Sequence, residues 1–146
     1  MIQIYLKSKR AVRFLFYRHL SISEQITISD TLNNGDLIKQ YWLLNKADRH
    51  HSIEVMVRTN KITEKNELLQ LALIHDIGKN ISHYSWILRI FAELKILTSS
   101  KAKMYVDHEL LGLNVLKKID NIKDLINFYE QDLLKERHQI LHKTDY

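Results

Sequence analysis

The segment LLQLALIHDIGK, Leu68 to Lys79, runs apolar residues straight into an imidazole and a carboxylate, His75 and Asp76, with an ammonium three residues on at Lys79. Its apolar positions 68, 69, 71, 73, 74 and 77 go all the way round a helix, and such a helix is buried on most sides. His75 and Asp76 near its end are then expected to be buried too. A buried carboxylate needs a strong partner: a cation, several donors or a metal. Adjacent helical positions point about 100° apart, so both side chains can lean toward one ion from the same turn. Imidazole plus carboxylate suits a divalent cation such as Zn, Fe, Mn or Co, with Mg as a further candidate. For this pair alone, a histidine hydrogen-bonded in a polar core is the competing explanation.

Two ligands do not complete a site, and the chain offers others. His50 and His51 begin the preceding helical segment, His108 sits in YVDHELLG, and Asp145 ends ILHKTDY. Helical phase does not choose between His50 and His51. His19, His83, His138 and His142 stand in no motif and read as structural or solvated. Trp42, Trp86 and the tyrosines read as core or half-buried residues. Lys79 has a simple alternative role, an interaction with the carbonyls of a helix end.

The elements that must position these groups read as helices almost throughout. KSKRAVRFLFYRHL places Val12, Leu15, Phe16 and His19 near one face. SISEQITISDTL opens with Ser21 and Glu24 at capping-box spacing, and Asn33 to Asp36 is the clearest turn. Asp48 can cap the helix carrying RHHSIEVMVRTN. Thr63 can cap the one carrying EKNELLQLALIHDI, with Gly78 as its stop. Further helical stretches span roughly 84–97, 101–119 and 122–144, with a break near Asp132. There is no internal repeat and no linker, so one all-α domain is the economical answer.

Composition agrees. There are 146 residues, no Pro, no Cys and only 3 Gly, which removes thiolate metal sites and the punctuation of an all-β chain. No stretch approaches the ~20 apolar residues of a membrane span. The N-terminus mixes charges into its apolar residues, unlike a secretory signal. A cytoplasmic location is the expectation. The net charge of +5 is carried entirely by residues 1 to 20, which hold Lys7, Lys9, Arg10, Arg13 and Arg18 and no acid. Such a segment could meet nucleic acid or another phosphate-rich partner, but a solvated helix face is the favoured reading. The sequence sets no oligomeric state.

The ordered set of motifs resembles the HD superfamily of metal-dependent phosphohydrolases. HSIEV from His51 resembles its first motif, LALIHDIGK from Leu71 its His-Asp motif, and ILHKTDY from Ile140 its final motif. DHELLGLNVL from Asp107 resembles the stretch where many members carry a His, a Glu and a Gly. The match runs from about Asp48 onward. The resemblance implies a compact single-domain helical bundle of the HD type over residues 1–146, with 1–47 a helical extension and 48–146 the core. It implies one divalent metal held by His51, His75, Asp76 and Asp145, with His51 taken over His50 on the family's His-Ser pattern. Lys79 would contact phosphate, with Arg49 a second candidate for that role and His108 a candidate for phosphate binding or support of the metal. Asp76 would also orient the attacking water. The implied activity is hydrolysis of a phosphomonoester or phosphodiester, most naturally of a nucleotide. A degenerate ligand-binding or signalling module that keeps the metal site is the alternative.

Departures from the family sharpen this. Phe128 and Tyr129 stand where two-metal members carry a His pair, which favours one metal. With no Pro, the Gly-Tyr-Pro motif of the cyclic-di-GMP phosphodiesterase branch is absent. Ile77-Gly78-Lys79 replaces the acidic residues that follow His-Asp in the guanosine-tetraphosphate hydrolase branch.

Overall fold

A computed structural model describes residues 19–81 and 107–145. The described residues are helical, with no strand among them. The basic segment up to Arg18, the expected helix at 84–97 and the first part of the expected 101–119 helix lie outside them, as do His83 and Trp86.

Helix α1 spans Ile22–Leu32 and starts with the anticipated capping box: Glu24 N–H donates to Ser21 Oγ at 3.2 Å, and Ser21 N–H donates to Glu24 Oε2 at 2.7 Å. Asn33 ends it in the left-handed conformation, φ 45°. Asn34 then caps α2, Gly35–Trp42, by accepting from the Asp36 and Leu37 amides. The Asn-Asn pair thus closes one helix and opens the next, because asparagine tolerates positive φ and its side chain mimics a backbone acceptor.

Helix α3, Lys46–Asn60, corrects one expectation. Its cap is Asn45, which accepts from the Asp48 amide at 3.0 Å, while Asp48 Oδ2 accepts from the Asn45 side-chain amide at 2.5 Å. Asp48 is the third residue of the helix, not its cap; an asparagine three positions upstream offers the same capping chemistry. Helix α4, Asn66–Ile74, starts after Lys65, and no side chain caps it. Thr63 instead accepts from the Lys65 amide at 3.3 Å in a local turn.

Helix α4 stops at Ile74 rather than at Gly78. His75 and Asp76 form a turn into a 3₁₀ segment, Ile77–Ile81. Gly78 lies inside that segment with negative φ, so it ends nothing. Its requirement is steric: a Cβ there would overlap the His108 carbonyl oxygen and lie 2.5 Å from Gly112 N. Helix α5, His108–Leu116, packs its first turns directly on the 3₁₀ segment through this Gly78–Gly112 approach. Helix α6, Lys123–Tyr129, continues into a π-helical turn, Glu130–Lys135, and α7, Gln139–Thr144, closes the described chain. The break expected near Asp132 falls at Glu136–His138. There the Asp132 carbonyl accepts from His138 N–H, and the His138 ring nitrogen in turn accepts from Ile140 N–H, capping α7.

Helix α4 is the axis of the molecule, with α3, α6 and α1 packed on it. Leu71, Ala72, Leu73, Ile74 and Ile77 are fully buried, joined by Ile28 and Leu32 of α1, Leu37 and Tyr41 of α2, Leu116 of α5 and Tyr129 of α6. Burial of this kind is worth roughly 1.5–3 kcal/mol per large aliphatic side chain. The consequence for function is that α4 cannot shift without breaking the whole core, so the turn at its end is held rigidly.

Candidate metal centre

Four elements converge at the end of α4. His51 arrives from the buried face of α3, His75 and Asp76 from the turn after α4, His108 from the first residue of α5, and Asp145 from the end of α7. The α7 end is tied to α3 by two bonds: Thr59 and Thr144 share a hydroxyl contact of 2.9 Å, and Arg58 Nη1 donates to the Thr144 carbonyl at 3.0 Å. Helix α3 is tied to α2 through Tyr41, whose buried hydroxyl donates to the Arg49 carbonyl at 3.0 Å and meets Ser52 Oγ at 3.0 Å. Burial raises the Tyr41 pKa, so the phenol stays neutral.

The His51 and His75 rings stand edge to face, 5.5 Å between centroids. His51 Nε2 lies 2.8 Å from Asp145 Oδ1. His75 Nε2 lies 3.6 Å from Asp76 Oδ2 and 3.8 Å from Asp145 Oδ1. Donor atoms of His51, His75 and Asp76 all fall within 4.8 Å of one another. His51, His75 and Asp76 are buried, and Asp145 nearly so. Asp76 receives Lys79 Nζ on Oδ2 at 2.6 Å and His108 Nε2 on Oδ1 at 3.0 Å. Asp145 Oδ2 receives Arg137 Nη1, and the other guanidinium nitrogen reaches Glu109 Oε1.

These contacts set the electrostatics. Burial by itself would raise the Asp76 pKa, but Lys79, His75 and His108 beside it outweigh that and hold the carboxyl well below its usual range. Asp145 behaves alike: burial pushes it up, and His75 and His51 bring it down further than burial raises it. Arg137 is held charged by Glu109 and Asp145 against the opposing effect of burial. Both carboxylates at the centre are therefore ionised.

One atom in this cluster is orphaned. His75 Nδ1 lies 2.7 Å from the Ala72 carbonyl, which accepts from it, and this fixes the tautomer. The opposite nitrogen, Nε2, then carries a lone pair, is fully buried and has no hydrogen-bond partner. A buried polar atom left this way costs on the order of 1–3 kcal/mol. A metal ion satisfies it, and an imidazole oriented by a backbone carbonyl on its far nitrogen is the usual arrangement of a metal-ligating histidine. The donor set of two imidazoles and two ionised carboxylates fits a divalent cation.

The remaining sequence candidates are placed as follows. His51 faces His75, whereas His50 lines a surface cleft together with Arg49, Lys46, Trp42 and His19. Arg49 lies over the Trp42 ring, 5.3 Å from its centroid, and not beside Asp76 or Asp145. Tyr129 is buried, and its hydroxyl donates to the Glu109 carbonyl at 2.8 Å, so this residue supports α5. Arg137 was not singled out in the sequence, and Glu109 entered only as the Glu of the DHELLG stretch. Nothing in KERHQILHKTD marks that arginine, because its role arises from a loop that folds back beside α5.

Comparison with protein-family models, curated proteins and solved structures found no match to this chain. Among the described residues no helix is long and apolar enough to cross a membrane.

Proposed function

We propose that the protein is a metal-dependent phosphohydrolase acting on a nucleotide or other phosphate ester. The observation that carries this reading is the orphaned Nε2 of His75, aimed at two ionised carboxylates and a second imidazole. His51, His75, Asp76 and Asp145 would hold one divalent ion, from the group Zn, Fe, Mn, Co or Mg. A divalent cation supplies Lewis acidity toward a phosphoryl oxygen and lowers the pKa of water. It would also add positive charge to the centre, which complements a phosphate ester.

The chain's own residues then divide the work. Asp76, bridged by Lys79 and His108, orients the attacking water. Lys79 holds positive charge beside the transferring group, where preorganised charge is most effective. His108 Nε2 donates to Asp76 Oδ1 and would steady that carboxylate. Arg137 pairs with Asp145 Oδ2 and would steady that carboxylate with its other oxygen toward His51.

The decisive experiment pairs elemental mass spectrometry of tag-free protein with an ester screen. Near-stoichiometric metal and catalytic release of phosphate or alcohol from a defined ester support the proposal. Metal-loaded protein that releases nothing from mono- and diesters would sink it.

A second reading has its own support. Each central carboxylate already has a cationic partner, Lys79 for Asp76 and Arg137 for Asp145. The cluster is thus close to self-compensated, as a ligand-binding module without turnover could be. Bound but unhydrolysed nucleotide is the outcome that selects it.

A further inference from the structure

On another part of α3 lies a cleft of about 220 Å³ that the metal centre does not use. Its polar lining is His19, Gln25, Lys46, Arg49 and His50, and Trp42 forms an aromatic wall. No carboxylate lines it among the described residues. Lys46 and Arg49 make the cleft cationic. Lys46 and Arg49 belong to the first turns of α3, whose dipole adds positive potential there.

The guanidinium of Arg49 is the informative group. It lies against the Trp42 indole, and its Nε is buried with no hydrogen-bond partner. A buried donor on a charged group is expensive to leave unmet, and an arginine fork is built to meet a planar or tetrahedral oxyanion. We infer that this cleft is a second binding site, for a small phosphate-class oxyanion held by Arg49 and Lys46 against Trp42. The cleft is smaller than the ~300 Å³ at which pockets for drug-sized molecules begin, so it fits a phosphate group rather than a whole nucleotide. The source of that phosphate is inorganic phosphate or the phosphate end of a nucleoside monophosphate. The site does not rest on the hydrolase reading, since its residues are not those of the metal centre.

Trp42 supplies the test. The chain has two tryptophans, so Trp86→Phe leaves Trp42 as the sole indole reporter. Metal-stripped protein carrying that change is titrated separately with inorganic phosphate and with adenosine monophosphate at fixed ionic strength. We expect saturable change in Trp42 emission with at least one of them. Arg49→Gln should weaken it about tenfold or more, and Lys46→Gln severalfold. Lys61→Gln, an exposed lysine beyond the other end of α3, should leave it unchanged. Lys46 is exposed, so its variant keeps the test sound if Arg49→Gln does not fold. Response to inorganic phosphate alone, or equally to both probes, identifies a free phosphate site; response to the monophosphate alone identifies a nucleotide end. No saturable response to either probe, a loss with Lys61→Gln as large as that with Lys46→Gln, or binding seen only with an oligonucleotide would overturn the inference.

Discussion

His51 and Asp145 stand 94 residues apart in the chain and 2.8 Å apart in space. This contact closes the centre, because it fastens the end of α7 to the buried face of α3. It also makes Asp145 answerable to a direct experiment. Asp145→Asn keeps the shape but removes the charge that would bind a cation. We expect the variant to remain helical and to lose metal, with affinity down by tenfold or more. Elemental analysis after dialysis against a weak chelator measures this, and undiminished metal in Asp145→Asn would remove that residue from the ligand set.

The same charges give the metal-free protein a signed pH dependence. Asp76 and Asp145 both sit below the usual aspartate value of 3.8 when folded. An unfolded chain has its aspartates near 3.9. Their stabilising contribution is therefore complete above about pH 5, and is lost as pH falls through 3.9 toward the folded values. Denaturant midpoints for metal-stripped wild type should drop steeply below about pH 5, and those of Asp145→Asn should drop less steeply. Parallel curves for the two proteins would show that Asp145 is not linked to folding.

Much of this centre was legible in the sequence, for a physical reason. An apolar run that ends in His75-Asp76 advertises burial, and a buried carboxylate advertises its partners. The spacing Ser21–Glu24 and the pair Asn33-Asn34 are local chemistry and were readable as such. What local pattern could not give was anything fixed by approach between distant segments; the meeting of His51 and Asp145 was expected only from the family resemblance. Gly78 looked like a helix stop because glycine usually is one, yet its role depends on where α5 crosses. Arg137 lies in a loop whose path no local pattern encodes. Arg49 looked suitable for phosphate beside the metal, but it precedes His51 by two positions, about 200° round α3, and therefore faces Trp42.

Lys79 tests the balance between fold and function. Its ammonium is buried against Asp76 at 2.6 Å. Lys79→Met keeps the stem and deletes the charge, leaving Asp76 short of a partner. Removing one member of a buried pair costs about 3–5 kcal/mol. Metal-free Lys79→Met should melt well below wild type, by roughly 2–4 °C for each kcal/mol in a chain of this size. Added divalent metal should recover part of that loss, since it supplies the missing positive charge to Asp76. Thermal scans with and without metal decide the point: a variant equally depressed in both conditions would mean that metal does not bind near Asp76.

Gly78→Ala separates the two roles a glycine can play. A glycine that merely ends a helix at positive φ would be strained by alanine through its backbone, but Gly78 has no positive φ. Here the added methyl meets the His108 carbonyl oxygen and Gly112 N, which are backbone atoms unable to swing aside. Helix α5 must move outward, and His108 moves with it. Overpacking of this kind costs about 1–3 kcal/mol or more. Because His108 Nε2 donates to Asp76 at 3.0 Å, a shift of even 1 Å breaks that bond. We expect Gly78→Ala to bind metal through the other four residues, to melt lower than wild type, and to lose the proposed phosphoester turnover disproportionately to its loss of stability. Gly112→Ala, which meets Tyr129 Oη and Ile77 from the other side of the same contact, should reproduce the pattern. Wild-type turnover in both variants would mean that the approach of α5 to the 3₁₀ segment, and with it His108, contributes nothing to the chemistry.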